Sequence, residues 1–334
     1  MDKITNYDKQ QGIKQAYHGK TEVLENITFE NNFLNDWEIE PQTLEANGVD
    51  TGFKILTASD DPSLFIGKPY NDKTYHPIAN RKFLDLVQNA VGGAGHTIES
   101  VGSFRQRGRV FMSLRLDGLN DFTVGDRDFK AYLNFGNGHD KSSTLWVNTS
   151  NVCTICDNSF SINLMQLSND NVSYKVKHTR NADSKLPEIA KLVDAACGVQ
   201  AIFAEELKAA DDKEISEDNA KAWFAAFLNP NANLTKIHRG EEKISTRTKN
   251  QHKAMFDLFK NGKGNRGKTE ADVFSAVTDY YTHMEGSEKS LSNRIYSSEY
   301  GRNSERKRRA LANLGLGDSM SMIYRGIPLM NEMS

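Results

Sequence analysis

The feature that most constrains the fold is a change of hydrophobic period partway along the chain. From Thr97 to Ile162, β-branched and aromatic residues alternate with polar ones, and Gly, Asn and Asp clusters interrupt them at hairpin-like intervals. After His178 the apolar residues recur every three or four positions, which is the spacing of a helix with one buried face. Together the two periods predict an α+β protein, with an antiparallel, hairpin-rich sheet in the N-terminal half followed by a helical C-terminal region.

The same change of period, read with the composition, predicts four segments. A helical pattern that begins near Phe83 precedes the alternating stretch and ends at Gly92-Gly93. The segments are an acidic lead-in with a short strand near Trp37 (1–60), an α+β sheet core (61–182), a helical and basic region (183–315) and a flexible tail rich in Gly, Ser and Met (316–334).

Two predicted hairpins place cations and aromatic rings on one face of the sheet. Strands 97–104 and 109–116 flank the basic turn Arg105–Gly108, and strands 128–135 and 144–149 flank the loop GNGHDKSS. Because side chains alternate across a strand, the set opposite the apolar one carries both positive charge and flat rings. Single-stranded nucleic acid needs cations for its phosphates and rings on which its bases stack. The predicted contacts are Arg105, Arg107, Arg109, Phe111, Arg115, Lys130, Tyr132 and Trp146, with Arg302, Arg306 and Arg309 as secondary contacts. The alternative is that this face packs under the C-terminal helices as a second core.

The formal net charge of −2 hides an uneven distribution of charge. Seventeen basic and ten acidic residues lie between Lys236 and Arg309, a balance of +7, so the remainder of the chain carries −9. A basic C-terminal third is compatible with a polyanion as partner. Its densest point is the run 306–309, for which the plainer interpretation is a solvated helix face.

One motif matches the phosphate-binding loop of NTPases but lacks the context of that loop. Residues 262–269 read GKGNRGKT, which fits G-x-x-x-x-G-K-T. The loop of an NTPase leaves a buried strand, whereas Met255, Phe256 and Phe259 have helical spacing. About 65 residues follow the motif, too few for the remaining parallel strands and a magnesium-binding Asp. We therefore interpret the segment as a basic loop between two helices.

The cysteine and histidine pattern predicts neither a disulfide nor a metal site. The three cysteines are an odd number, and Cys153 and Cys156 form a lone C-x-x-C without a second pair at zinc-site spacing. His139 and Asp140 could supply a general base or metal ligands, or could satisfy the backbone of their own loop. No cofactor is expected.

The chain offers no segment that would place it in a membrane. No apolar run approaches the roughly 18 to 20 residues that a membrane helix needs. The N-terminus has no apolar stretch after its charges, unlike a signal peptide. We expect a cytoplasmic location without membrane contact.

A series of motifs, in a fixed order, resembles one protein family. The motifs are FIGKPY (65–70), YHPIANRKFLDLV (75–87), NGHDKSS (137–143), VCTICDNSF (152–160), KHTRNA (177–182), TEADVFSAVTDYYTHME (269–285) and YGRNSERKRRALANL (300–314). Their succession resembles the phage/plasmid-like family defined by domain of unknown function 932, over about residues 35–315.

The resemblance implies which residues carry the family's motifs. The family's loop Asn-Ser-His-Asp-Gly-Ser reads NGHDKS here, and its Val-Cys-x-Asn-Thr-Leu element reads ICDNSF. An Arg that is usual before the family's cysteine is replaced by Cys153. The implied motif residues are Asn137, His139, Asp140, Ser142, Cys156, Asn158 and His178.

The resemblance implies a protein of a phage or mobile element, and the cationic and aromatic strand faces predict a binding protein. The expected activity is sequence-independent binding or annealing of single-stranded DNA in recombination or replication, by a homo-oligomer. The architecture is similar to that of the Redβ, RecT and Erf single-strand annealing proteins, which is analogy at the level of fold only. Two alternatives stay open: a metal-dependent nucleic-acid-processing enzyme centred on His139, Asp140 and His178, and a non-enzymatic protein that acts on a host factor.

Overall fold

The computed structural model contains two antiparallel sheets and a helical region. It describes residues 15–17, 20–22, 27–92, 96–116, 121–153, 159–162, 175–176, 178, 200–230, 243–285, 297–298 and 302–314. The strands are β1 Gln15–Tyr17, β2 Lys20–Glu22, β3 Ile39–Ala46, β4 Val49–Ala58, β5 Asp61–Tyr70, β6 His96–Phe104, β7 Arg109–Leu116, β8 Phe122–Val124, β9 Arg127–Gly138, β10 Leu145–Cys153, β11 Ser159–Ile162 and β12 Lys175–Val176. The helices are α1 Asn80–Val91, α2 200–211, α3 Glu217–Leu228, α4 Thr246–Asn261, α5 Glu270–Asp279, which continues as a π-helical turn at Tyr280–Met284, and α6 Arg302–Ala312.

The large sheet has the strand order β11-β10-β9-β7-β6-β1-β2, with β8 and β12 paired to β9 and β10. All its pairs are antiparallel except β1 with β6. The predicted α+β class, with antiparallel strands first and helices after them, is confirmed. The two predicted hairpins correspond to β6–β7 and β9–β10.

The small sheet consists of β3, β4 and β5 and begins within the predicted lead-in. Asn47 and Gly48 join β3 to β4 with φ of 53° and 77°, the left-handed conformation that a tight hairpin turn requires. The strand expected near Trp37 starts at Ile39. Because β4 pairs with β5, the segment boundary predicted between residues 60 and 61 falls inside a hairpin.

One core lies between the large sheet, the small sheet and α1. The apolar sides of β7, β9 and β10 face α1, whose buried side includes Phe83, Leu84 and Val87. The helix starts at Asn80 without a side-chain cap from its own N-cap residue, Ala79. Glu38 supplies the cap instead, because its two carboxylate oxygens accept the backbone N–H groups of Asn80 and Arg81 at 2.7 and 3.0 Å. A carboxylate at this position also interacts favourably with the helix dipole. The sheet residues of this core include Ile98, Val101, Val110, Met112, Leu114, Leu133, Phe135, Leu145 and Val147.

A second core joins the helices to one end of the large sheet. The Phe122 ring stacks on Phe129 at 4.8 Å between centroids and meets Phe203 of α2 edge-on at 5.7 Å. Within the helical region Trp223 stacks on Phe227 of the same helix at 5.2 Å. The two halves therefore share a continuous apolar contact.

A buried ion network accompanies this contact. The guanidinium of Arg127, only 2% exposed, lies 3.0 Å from Asp211 and 3.3 Å from Asp272. Its Nη1 also donates to Asn265 Oδ1 at 3.3 Å. Arg127 comes from β9 and its partners come from the helical region, so the network connects the two halves of the structure.

Among the residues that the structure describes, none belongs to a helix long and apolar enough to cross a bilayer.

A tryptophan covers a glycine in the centre of the large sheet. Gly136 of β9 lies opposite Phe111 on one neighbouring strand and Trp146 on the other. A Cβ on Gly136 would lie 1.9 Å from Trp146 Cζ2, a distance too short for two carbon atoms that are not bonded to each other. The indole ring therefore depends on the absence of a side chain at position 136.

We expect Gly136→Ala to lower the free energy of unfolding by about 1 to 3 kcal/mol, because the indole must leave its place. Urea denaturation measures the loss. The control is the same substitution in a Trp146→Ala background, where the clash is gone and the cost should fall below about 1 kcal/mol. An equal cost in both backgrounds would contradict this account of the contact.

Candidate nucleic-acid interface

The strand register places the predicted cationic and aromatic residues on one face of the sheet. Arg115 lies opposite Tyr132, which in turn lies opposite Ser150, and Phe111 shares a row with Trp146 across Gly136. Side chains on these rows point to the same side.

The centre of this face is covered, which corrects the prediction for Phe111. Its ring is 2% exposed, and Ser113, Asn134 and Ser150 beside it are buried. Gln200, the first residue of α2, donates from Nε2 to the backbone oxygen of Ser150 at 3.3 Å. A ring in this position has no exposed face on which a base could stack.

Arg107 joins the two sheets and is likewise removed from the predicted phosphate contacts. Its guanidinium forms two hydrogen bonds with the Asp60 carboxylate, one of them at 2.9 Å, and lies 4.6 Å from the centre of the Trp37 ring. The residue is buried. Asp60 is in the β4–β5 turn, so this pair attaches the small sheet to the β6–β7 turn.

The remaining residues of the predicted face keep partial exposure. Arg115 pairs with Asp121 at 2.5 Å. Lys130, Tyr132 and Trp146 are half-buried. Arg115, Tyr132 and Lys130 lie toward the end of the face away from Arg109, whereas Trp146 shares a row with Gly136 and the buried Phe111.

The basic run near the C-terminus mainly anchors α6 to the helical core. Lys307 is fully buried, and its Nζ donates to Ser298 Oγ at 2.9 Å. Arg309 donates to the Phe227 backbone oxygen at 2.8 Å and lies over the Phe227 ring. Arg306 lies over the ring of Tyr281. Arg306 and Arg309 thus have structural contacts that compete with the predicted role in phosphate binding, while Arg302 is exposed.

The segment that matches an NTPase loop lies between α4 and α5, as the interpretation of a loop between helices requires. Thr269 caps α5, and Asp272 Oδ2 accepts the backbone N–H groups of Lys268 and Thr269, both at 3.1 Å. These N–H groups are the ones that would bind a phosphate in an NTPase. Here the protein's own carboxylate takes that position.

The loop after β9, which carries the motif NGHDKS, is fixed by its backbone. The N–H groups of His139 and Asp140 both donate to Gly108 O, at 2.8 and 3.1 Å. A Cβ on Gly67 would lie 2.5 Å from Asp140 Cα, so β5 also packs tightly against the loop. Asn137 is fully buried, and its Nδ2 donates to Ile78 O at 2.8 Å.

Beneath this loop lies a buried polar network that contains both motif histidines. His139 Nε2 is 3.0 Å from Asn80 Oδ1, an acceptor, so the imidazole donates. The Tyr75 hydroxyl donates to Gly138 O at 3.1 Å and lies 2.9 Å from His178 Nδ1. The network connects α1, the loop and His178.

Burial keeps these groups uncharged. Burial, and secondarily the neighbouring His178, lowers the pKa of His139 to about 3. Burial also lowers the pKa of His178 to about 4, although Asp140 opposes the shift. The pKa of the Tyr75 hydroxyl is raised, mainly by burial. These side chains therefore support the loop from below, away from solvent.

Of the other motif residues, Cys156 and Asn158 lie outside the described residues. In the part of the chain that the structure describes, no three His, Cys, Asp or Glu side chains lie close enough together to hold a metal ion. The alternative enzyme centred on His139, Asp140 and His178 thus gains no ligand set from the described side chains.

Above the network, two arginines converge on one serine. The Ser142 hydroxyl accepts from Arg109 Nη2 at 2.9 Å, from Arg109 Nε at 3.1 Å and from Arg105 Nη1 at 3.3 Å. It donates to Asp140 Oδ1. Asp140 Oδ2 is 3.7 Å from Arg105.

Two lysines complete a patch that we call the cationic rim, consisting of Lys68, Arg105, Arg109 and Lys141. Lys141 is exposed, and its Nζ donates to the backbone oxygen of Pro69 at 3.3 Å. Lys68 is exposed beside Gly67, which contacts the loop. Asp140 forms an ion pair with Arg105 of the rim.

The turn that carries Arg105 has a strained backbone. Arg105, Gln106 and Arg107 have φ of 53°, 52° and 64°, all in the left-handed region. Each such residue costs about 1 to 2 kcal/mol when it carries a side chain. Strain of this kind is concentrated at functional sites, where the surrounding structure enforces it. Here it directs Arg107 toward Asp60 while Arg105 reaches Ser142.

We expect Gln106→Gly to raise the free energy of unfolding by about 0.5 to 1 kcal/mol, because glycine adopts positive φ without strain. Gln106 is exposed, so no packing is lost. Thermal denaturation measures the gain. The matched control is Ser63→Gly in β5, an exposed position without a positive φ, where glycine should destabilise.

Sequence reasoning found the loop, Arg105 and Arg109, but it did not find the residues that support them from other segments. Tyr75 and Asn80 belong to the motif YHPIAN, which was the available signal for the network. Lys68 had a similar signal in FIGKPY. Asp60 had none.

Comparison with known proteins gives a family but no named relative. Neither the curated proteins nor the solved structures contain a match. A family model, described as a domain of unknown function (DUF932), matches residues 70–311, which include the loop, both histidines and the rim except Lys68. The match spans most of the chain and confirms the resemblance of the motifs. The chain therefore belongs to the DUF932 family.

Proposed function

We propose that the protein binds single-stranded DNA, without sequence preference, through the cationic rim. The observation that supports this most is the convergence of Arg105 and Arg109 on Ser142, beside exposed Lys141. One guanidinium group can bind two phosphate oxygens at once through parallel N–H groups. Phosphate contacts supply most of the affinity in sequence-independent binding. The rim also lies on a backbone that the buried network holds in place, so little ordering is needed on binding.

The rings proposed for base stacking are Tyr132 and Trp146. Both keep partial exposure on the face that carries Arg109. Phe111 is no longer part of the proposal. A face with cations at one end and partly exposed rings farther along its strands suits a single strand, whose bases are available for stacking.

The rim is short and can contact only a few phosphates of one strand. High affinity for a long strand then requires several copies of the chain side by side, because each additional bound copy raises the overall affinity of the assembly for the same strand. The proposal therefore includes a homo-oligomer. A phage or mobile-element origin rests on the family resemblance, and a role in recombination or replication rests on the architectural analogy to single-strand annealing proteins. Both belong to the same proposal.

We expect Lys141→Gln to weaken binding of an oligonucleotide about fivefold near 0.1 M salt, the loss of one phosphate contact. Fluorescence anisotropy with a labelled dT oligonucleotide measures the dissociation constant. Lys253→Gln is the control, because Lys253 is an equally exposed lysine on α4, away from the rim. Equal affinities of the two variants would remove the rim from the binding site, and absence of wild-type binding at low salt would overturn the function.

A further inference from the structure

The cationic rim contacts the groups needed for a chemical step on the DNA that it is proposed to bind. Ser142 is a hydroxyl nucleophile in contact with a carboxylate and two guanidinium groups. A nucleophile, a base in hydrogen-bond contact with it, and a third group that orients the base form the arrangement used in nucleophilic catalysis. Each of the three is present at this site.

The base is Asp140. Its Oδ1 accepts hydrogen bonds from the Ser142 hydroxyl and from the Ser142 backbone N–H, the latter at 2.9 Å. Its position is fixed because the Asp140 N–H donates to Gly108 O and because Gly67 packs against its Cα. Arg105, 3.7 Å from Oδ2, orients the second oxygen.

The guanidinium groups stabilise the charges that develop. Arg109 donates twice to the Ser142 hydroxyl oxygen and Arg105 once, so positive charge surrounds the atom that becomes nucleophilic. Each guanidinium carries five N–H donors in a planar fork, a geometry that matches phosphate oxygens. A local turn stabilised by the Asp140 side chain would by itself explain the hydrogen bonds between Asp140 and Ser142. Such a turn does not require the contacts from Arg105 and Arg109 or the left-handed backbone at residues 105–107.

We propose that Ser142 attacks a DNA phosphodiester and forms a reversible covalent phosphoserine link. The Ser142 oxygen forms the new bond to phosphorus, and the bond from phosphorus to one sugar oxygen breaks. The Ser142 proton passes to Asp140 and from there to the departing sugar oxygen, which leaves as a hydroxyl group. Attack of a strand-end hydroxyl on the phosphoserine reverses the step, so a diester is exchanged for a diester and no additional reactant is consumed. This inference rests on the proposed binding of DNA at the rim.

The test uses the full chain and a labelled single-stranded oligonucleotide with a bridging sulfur at one phosphodiester. The sulfur leaves as a thiolate that rejoins poorly, so a covalent product accumulates. Both wild type and Ser142→Ala are saturated with the oligonucleotide, at concentrations chosen from anisotropy, so that occupancy does not differ. The product is detected as label that stays with the protein in a denaturing gel, and mass spectrometry locates the attachment.

We expect attachment at Ser142 in the wild type, at least a hundredfold less adduct for Ser142→Ala, and no change for the control Lys253→Gln. Binding without any adduct would overturn the covalent step and leave the proposed function intact. Adduct of equal yield in Ser142→Ala, or attachment at another residue, would overturn the assignment of Ser142. Absence of binding would overturn both proposals.

Discussion

Replacement of Arg127 by methionine is expected to lower the free energy of unfolding by about 3 to 5 kcal/mol. The guanidinium is buried between Asp211 and Asp272, and Asp272 is fully buried. Methionine fills similar space but leaves both carboxylates without this partner. Most of the cost arises because a buried carboxylate stays in an apolar environment without the positive charge that compensated it. Chemical denaturation of wild type and variant measures the difference.

Arg266→Met is the matched control, because Arg266 contacts the same Asp211 from the surface. Its side chain is about one third exposed, so we expect a loss of no more than about 1 kcal/mol. A loss for Arg127→Met as small as that for Arg266→Met would show that the network is not the connection between the two halves that we describe.

Acidification from pH 7 to pH 5 is expected to cost about 4 kcal/mol of stability through the two buried histidines. The pKa of His139 is lowered to about 3 and that of His178 to about 4, both by burial. The unfolded chain, with histidine pKa near 6.5, then binds more protons than the native protein between pH 6.5 and pH 4. The contribution of the two neutral histidines to the free energy of unfolding is therefore fully present above pH 6.5. It is lost as the pH falls through that window, and the loss reaches about 2 kcal/mol for each histidine by pH 5.

The variant His178→Gln separates this effect from the titration of carboxylates. Near pH 5.5 the slope of unfolding free energy against pH should fall by about 1.4 kcal/mol per pH unit, the contribution of one proton. Glutamine retains a donor for the Tyr75 hydroxyl. An unchanged slope, or NMR titration of the His178 ring with an ordinary pKa, would contradict the buried neutral network.

Local patterns predicted the large sheet well because its strands obey alternation. The residues Val110, Met112 and Leu114 face the core as their spacing indicated, and the turn at 105–108 joins the strands expected. Alternation identifies the residues that share a face, but it contains no information on what covers that face. This is why Phe111 was assigned to solvent although it is buried.

The small sheet was missed for a different physical reason. Much of β3 and β4 is exposed on both faces, so polar and acidic residues such as Glu40 and Glu45 occur there without an apolar partner set. An exposed hairpin needs little apolar alternation, and its composition resembles a loop. The short strand predicted near Trp37 and the Asn47-Gly48 turn were its two signals.

The site depended on contacts between distant segments, which no local pattern reveals. Arg107 meets Asp60 from 47 residues away, and Glu38 caps a helix 42 residues later. The predicted loop at His139 and Asp140 was correctly located, but the burial of His139 against Asn80 at the start of α1 could not be predicted locally. Family motifs were the better signal, because they marked Tyr75 and Asn80 without indicating their roles.

The salt dependence of binding tests the central claim, contact between the rim and DNA phosphates, most directly. Binding of an oligonucleotide is measured from about 0.05 to 0.3 M salt for the wild type and for the variant Arg105→Gln/Arg109→Gln/Lys141→Gln. Each phosphate contact with a single strand contributes about 0.7 to the slope of log affinity against log salt. We predict a slope that is shallower by about 2 for the triple variant. A slope equal to that of the wild type would contradict the account.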